Sequence, residues 1–252
     1  MPKKRKREWF DNDRFWRELY GWMFFEDRFR LAEEQLEKLL RLTEVDAKTA
    51  LDLCCGPGRF SIPLAKKGIS VTGVDRTKYL LDEARRRAKA AGARVEWIRR
   101  DMRDFVRPGA FDLAICMYTS FGYFEDKRED VIVLENLFAS LRPGGVCLID
   151  VMGKERLARV FQETVSATSP DGTTLVQKHE IVDDWTRIRN EWLLIRQDKV
   201  SRFQFQHTVY SGQELRDRME NVGFEVTLYG NLDGLDYGPS AERLVAVGRK
   251  VR

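Results

Sequence analysis

Histidine and cysteine are scarce in this chain of 252 residues, with two and four respectively. Cys54 and Cys55 are neighbours, Cys116 and Cys147 lie alone in apolar runs, and no Cys-x-x-Cys or Cys/His spacing of a zinc site occurs. Adjacent cysteines rarely form a relaxed disulfide, so all four read as reduced, mostly structural thiols, and no metal is expected. No window approaches the roughly 18 uncharged apolar residues that a membrane span needs, and the basic start lacks the apolar stretch of a secretory leader. The expectation is a cytoplasmic protein without a membrane partner. Net charge is missing as well. There are 44 Lys plus Arg against 40 Asp plus Glu, but Lys3, Lys4, Arg5, Lys6 and Arg7 supply five of the cations, and without them 39 face 40. A nucleic-acid binder spreads a basic stripe over its fold, because phosphate neutralisation supplies most of the affinity. This near-neutral body excludes that pattern, and no nucleic-acid partner is expected. The basic tail, residues 1–7, stays open to three readings: a nuclear address, an electrostatic arm, or a solvated terminus.

What is present is enough apolar material, 43% of the residues, for one sizeable core: one large domain, or one domain with an insertion. Residues 8–45 carry apolar side chains at helical spacing and are crowded with rings, among them Trp9, Phe10, Phe15, Trp16, Tyr20 and Trp22. They predict an aromatic helical cap, in which Trp16 and Tyr20 are candidates to line a substrate pocket. From residue 50 the rhythm changes. Short apolar runs at 50–54, 69–74, 94–98, 111–117 and 145–151 alternate with helical stretches at 58–67, 77–91 and 126–141. Strand, helix, strand with short connections predicts an α/β fold, a Rossmann-like, mainly parallel sheet with helices on both faces. Residues 173–210 then alternate polar and apolar, which predicts antiparallel strands. Ser211 and Glu214 form a capping box for a helix ended by Gly223, and 224–229 and 244–247 are closing strands. The division that follows is a core of 46–160 and 211–252, interrupted by an antiparallel insertion, 161–210, that covers the substrate site.

The most specific signal is Leu51-Asp52-Leu53-Cys54-Cys55-Gly56-Pro57-Gly58-Arg59-Phe60, where the first strand meets the first core helix. Glycines there let a ligand approach the backbone and leave helix amides free for an anionic group. A dinucleotide site wants Gly-x-Gly-x-x-Gly, and the sixth place is Ser61. Asp52 instead gives Asp-x-x-x-Gly-x-Gly, a loop entered through an acid. Downstream, Gly73-Val74-Asp75 puts a carboxylate at the end of the second strand, where it can accept both ribose hydroxyls of an adenosine or serve a helix start. Asp101, in Arg100-Asp101-Met102-Arg103-Asp104-Phe105, follows the third strand and can accept from an adenine amino group or make a turn.

These stretches, taken in order, resemble the class I S-adenosylmethionine-dependent methyltransferases. Residues 51–58 look like the family's first motif, 73–75 its second, Asp101-Met102 its adenine contact, and Leu141-Arg142-Pro143-Gly144-Gly145 the turn into its fifth strand. The resemblance spans roughly residues 48–152, and its one departure is Cys54, where the family loop often has glycine. It implies a seven-stranded sheet, S-adenosylmethionine as cofactor with S-adenosylhomocysteine as product, and cofactor contacts from Asp52, Cys54, Gly56, Gly58, Asp75, Arg76, Asp101, Met102 and Met117. Met117-Tyr118-Thr119-Ser120-Phe121-Gly122-Tyr123 is similar to small-molecule methyltransferases, including those that methylate amino sugars.

Methyl transfer from a sulfonium is an in-line displacement, so holding donor and nucleophile aligned and dry is the main task. An amine acceptor needs only to lose one proton, whereas a hydroxyl needs a stronger base or a metal. The exit of the fourth strand should border the methyl group, which makes Tyr118, Ser120 and Tyr123 candidates to orient an acceptor or stabilise a cation. His207, at the end of the insertion, is the candidate histidine; His179 reads as a surface strand residue. The expected activity is methyl transfer to a small molecule, nitrogen favoured, by a monomer or homodimer. RNA or protein as acceptor, and a non-catalytic S-adenosylmethionine-binding protein, remain the alternatives.

Overall fold

A computed structural model describes residues 8–251; the basic tail, with the three readings offered for it, lies outside the described residues. A single 3-10 turn (Trp9–Asp11) leads into α1 (Asp13–Met23) and α2 (Glu26–Thr43). Then follow β1 (Thr49–Leu53), α3 (Ser61–Lys66), β2 (Ser70–Asp75), α4 (Lys78–Ala90), β3 (Glu96–Arg99), β4 (Phe111–Cys116), α5 (Lys127–Ser140) and β5 (Leu141–Val151). After α6 (Lys154–Val160) come β6 (Thr164–Thr168), β7 (Thr174–Val182), β8 (Arg187–Arg196) and β9 (Lys199–Thr208). The chain closes with α7 (Gly212–Val222), β10 (Glu225–Tyr229) and β11 (Leu244–Arg249).

Seven strands in the order β10-β11-β5-β4-β1-β2-β3 form the main sheet, and β6-β7-β8-β9 form a second, antiparallel one. Strands β1 to β5 are parallel, while β11 runs against both its neighbours. This is the Rossmann-like sheet expected, with its helical N-terminus and separate antiparallel sheet. β1 has β2 on one side and β4 on the other, so the chain leaves β3 at one edge and returns on the far side of β1. Connections leave such a switch point in opposite directions, and a crevice opens beyond the carboxyl ends of the strands.

Side chains alternate across the pleat to feed two cores. Leu51, Ala114, Cys116, Cys147 and Ile149 face α5 and α7, meeting Val133, Leu137 and Met219. Ala50, Leu113, Ile115, Val146 and Leu148 face the other way, onto Leu36, Leu39 and Leu64 of α2 and α3. Period-two alternation with both faces apolar is what a doubly covered sheet requires. At α7 the capping box forms as read, with Ser211 Oγ accepting from Glu214 N, and Gly223 ends the helix at φ 115°. Two elements went unread. β6 is exposed along its whole length, so it has no apolar period to detect, and α6 spans only seven residues. β5 also starts four residues early, at the buried Leu141, which pairs with Phe111; the exposed Arg142, Pro143 and Gly144 then bulge before pairing resumes at Leu113 and Val146.

The antiparallel sheet and α1 bury one another. Phe15 and Leu19 of α1 pack on Leu175, Leu194, Phe203 and Phe205, with Phe15 edge-on to Phe203 at 5.3 Å. The sheet is joined to the core at Gly122 (φ 100°), whose carbonyl accepts from Thr208 N at 2.7 Å and where a Cβ would lie 3.0 Å from the Thr208 oxygen. No helix among the described residues is long and apolar enough to cross a membrane.

Trp97 of β3 lies flat against two glycines. A Cβ on Gly73 would sit 2.7 Å from its ring, and one on Gly58 2.8 Å from its far edge. Gly73→Ala is expected to cost about 1–3 kcal/mol of stability by overpacking. Chemical denaturation of the Gly73→Ala, Trp97→Leu double variant should recover part of that loss, and strict additivity would contradict the contact.

Candidate active site

A cavity opens where the ends of β1, β2, β3 and β4 converge, roofed by the N-terminal segment. Asp52, Cys54, Gly56, Asp75, Arg76, Asp101, Met102 and Met117 all line it, as do Tyr118, Ser120, Tyr123 and Trp16. Three residues named with them do not. Gly58, at φ 82°, is absent from the wall; a side chain there would collide with Trp97, which does not line the cavity either. Tyr20, about 6 Å further along the helix axis than Trp16, turns to α4 instead: its hydroxyl accepts from Arg87 Nε at 3.2 Å and its ring meets Tyr79 edge-on at 5.7 Å. His207 contacts the ring of Tyr123 at 5.0 Å and lies 3.4 Å from Asn190 Nδ2, outside the cavity lining. Burial, helped by the charge of His179, lowers the His207 imidazole to about 4, so it is neutral near pH 7.

The loop after β1 is held by acids. Asp52 is buried and accepts from Ser61 Oγ at 2.5 Å. Burial, against the pull of that hydrogen bond, pushes its carboxyl up to about 7. Cys54 adopts φ 62°, the left-handed conformation that glycine takes freely, so the backbone has the glycine shape without the glycine. Its sulfur rests 3.6 Å from Met102 Sδ. Gly56 N donates to Asp75 Oδ2 at 3.0 Å, and Thr77 N donates to Asp75 Oδ1 at 2.8 Å. Asp75 therefore bridges the loop and the start of α4 while facing the cavity, and its burial raises the carboxyl above the ordinary range.

Asp101 is tied more tightly. Arg103 N and Nε both donate to its Oδ1 at 2.9 Å, and Arg103 Nη2 and Arg76 Nη1 reach Oδ2 at 2.7 and 2.9 Å. Burial alone would raise this carboxyl, yet the guanidiniums outweigh it and hold it low. The same two arginines take the acids of the N-terminal turn: Arg103 reaches Glu8 at 2.6 Å, and Arg76 pairs with Asp11. An ionic clasp thus closes the first residues of the cap over the ends of β2 and β3.

The exit of β4 is strained. Tyr118 (φ 56°) and Thr119 (φ 59°) are both left-handed without being glycine, a conformation that persists only when its surroundings over-determine it. Here Asp150 does so. Its carboxylate accepts from Tyr118 N at 3.1 Å and pairs with Arg243 at 2.6 Å, while its carbonyl accepts from Thr119 N at 2.8 Å. Ser120 Oγ donates to the Met117 carbonyl at 2.8 Å, which leaves its lone pairs free to accept. Burial drives the Tyr123 phenol well above its usual range, so it stays protonated. Sequence reading passed over Trp9, Arg28 and Arg59 in the cavity wall, and Asp150 and Arg243 beneath it. Arg59 stood inside the quoted loop, but nothing in its spacing gave its direction. The left-handed pair carries no glycine to mark it.

Two expectations follow. Asp150→Ala strands Arg243 and frees the strained exit, so it should cost about 3 kcal/mol in denaturant unfolding; a loss below about 1 kcal/mol would contradict this account. For Asp52, the folded carboxyl holds its proton more tightly than the unfolded one near 3.9. Its favourable contribution is therefore complete below about pH 4 and is lost as pH rises through about 7. The stability of Asp52→Asn relative to the parent should climb between those pH values, and a flat difference would sink the assignment.

A family model described as a methyltransferase domain matches residues 50–145. YqeM of Bacillus subtilis, provisionally named a methyltransferase, is 25% identical over 214 residues, covering 83% of this chain and 86% of its own length. The cypemycin N-terminal methyltransferase of a Streptomyces species is 28% identical over 212 residues, covering 82% and 85%. Among solved structures, CalS10 of Micromonospora echinaspora, an amino pentose methyltransferase with S-adenosylmethionine bound, superposes with a TM-score of 0.67 at 19% identity, covering 99% of this chain and all of its own; that likeness is one of fold.

Proposed function

The chain is a class I S-adenosylmethionine-dependent methyltransferase, and from that premise we propose that it methylates the nitrogen of a small-molecule amine. The observation that carries this reading is the aromatic wall at the exit of β4, where Trp9, Trp16, Tyr118 and Tyr123 line the cavity beside the glycine loop. Ring faces attract cations, and an amine that has just taken up a methyl group is one. One similar protein is named an N-terminal methyltransferase, and one solved structure of like fold is described as that of a sugar N-methyltransferase.

The donor set suits the cofactor. Asp75, fixed at the end of β2 by two backbone amides, would take the ribose hydroxyls, and Asp101 with Met102 would flank the adenine. Val74 and Leu80 give that end of the cavity an apolar bed. Asp52, Cys54, Gly56 and Met117 would hold the methionine portion, with Arg76 closing the far end. When bound, S-adenosylmethionine supplies a methyl group made electrophilic by its sulfonium. The protein's part is positional. Ser120 Oγ can accept an amine N–H, orienting the lone pair, while the protonated Tyr123 hydroxyl can donate to an acceptor oxygen. The proton shed by the amine passes to water or a carboxylate, and the rings exclude solvent. In this reading residues 8–45 cover the acceptor side directly, and the insertion, 161–210, which gives no residue to the cavity wall, backs that cover through Phe15, Leu19 and Trp9.

Asp75→Ala and Asp101→Ala should each weaken S-adenosylmethionine binding by about 1–3 kcal/mol in calorimetry; unchanged affinity in both would overturn their assignment. Incubation with methyl-labelled S-adenosylmethionine and an extract split into metabolites, RNA and protein should place label on a metabolite nitrogen. Label confined to RNA or protein would displace the small-molecule reading.

A further inference from the structure

Charge is divided across the cavity. Asp52, Asp75 and Asp101 stand at the ends of β1, β2 and β3, while Arg28 and Arg59 stand toward the β4 exit, where the Arg59 guanidinium lies over the Tyr118 ring at 3.7 Å. Arg59 is only 9% exposed. It donates to Gln35 Oε1 at 3.0 Å and to the Tyr118 hydroxyl, both neutral, and its Nε is buried with no hydrogen-bond partner among the described residues. Arg28 reaches the Met23 carbonyl at 2.9 Å and the Phe25 ring at 4.8 Å. Asp150, the acid on that side, is taken up by Arg243 at 2.6 Å. The cations at the opposite end, Arg76 and Arg103, are matched by carboxylates: they share Glu8 and Asp101, and Arg76 pairs also with Asp11 and Arg103 with Glu129.

A buried guanidinium whose hydrogen-bond partners are neutral, and whose nearby acid Asp150 is already paired with Arg243, is costly, and a second cation in the same wall adds repulsion. Burial lowers Arg59 to about 10; Tyr118 and Asp150 oppose that fall without cancelling it, and the charges of Arg28 and Arg243 add to it. Bound S-adenosylmethionine does not balance this wall. It brings one carboxylate for two guanidiniums, together with two positive charges of its own. We infer that the acceptor carries an anionic group, a carboxylate or a phosphate, held by Arg59 together with Arg28 at the β4 side of the cavity. With the nitrogen chemistry proposed above, on which the amine half rests, the substrate class is an anionic amine such as an amino acid or a phosphorylated amine.

The test uses the full chain, Arg59→Met, which keeps apolar bulk against Tyr118, and Arg28→Met. A metabolite extract is separated on an anion exchanger at pH 11, where amines are neutral, then neutralised and offered with methyl-labelled S-adenosylmethionine. Label should enter the retained fraction, and Arg59→Met should lower it at least tenfold while cofactor affinity stays within threefold. Label in the unretained fraction overturns the anionic acceptor and leaves the amine reading standing; an oxygen-methylated product in the retained fraction does the reverse. A tenfold loss of cofactor affinity in Arg59→Met would assign the pair to the cofactor's own carboxylate and overturn the inference. Thermal midpoints of the S-adenosylhomocysteine-saturated proteins, in phosphate, acetate or chloride of equal ionic strength, decide the matter if no fraction is labelled. Phosphate or acetate should then raise the parent midpoint by several degrees and leave Arg59→Met unmoved, with the better anion naming the group. Equal responses, or none, count against the proposal.

Discussion

One carboxylate, that of Asp75, couples the pieces of the cavity to each other. It accepts from the Gly56 amide of the loop after β1 and from the Thr77 amide that opens α4, so two connections leaving adjacent strands are joined through a single side chain. The loop can then keep its left-handed turns at Cys54 and Gly56, because its far side is anchored to β2 and its base to Ser61 through Asp52. Burial raises both carboxyls, a cost the fold carries to keep acids facing the cavity.

On the other flank the constraint is strain instead of burial. Tyr118 and Thr119 sit in a conformation that side chains disfavour, and the Asp150–Arg243 pair holds them there. The reward is orientation: the Tyr118 ring turns under Arg59, and Ser120 spends its proton on the Met117 carbonyl. A polar, fixed half and an aromatic, cationic half thus meet along the line where β1 adjoins β4.

Much of this could be read in the linear chain. The alternation of strands and helices from residue 50, the capping box at Ser211 and the acids at strand ends are local patterns, and each maps onto a local structure. What escaped reading depends on direction rather than spacing. Trp16 and Tyr20 are one turn apart on α1, yet only Trp16 reaches the cavity, because Tyr79 and Arg87 of α4 claim Tyr20. His207 falls at the end of the insertion, near the place expected, but its ring is claimed by Tyr123 and Asn190. Gly58 reads as a ligand glycine, and the structure adds a second demand for glycine there, space for a tryptophan 39 positions away in the chain, a partner invisible to any local pattern. β6 pairs with β7 through its backbone and a Thr168–Thr174 hydroxyl contact while exposing every residue, and side-chain periodicity is silent about such a strand.

The 3-10 turn at Trp9–Asp11 serves both halves at once. Its flanking acids, Glu8 and Asp11, bind Arg76 and Arg103 over the ends of β2 and β3, while Trp9 stacks on Phe205 of the antiparallel sheet at 4.7 Å and lines the opposite wall. A three-residue turn that contributes to both surfaces gives them a common part, through which binding at one can be linked to binding at the other. Whatever ligand settles the turn on one side pre-forms the wall on the other, and the free energy of that coupling must be the same whichever ligand arrives first.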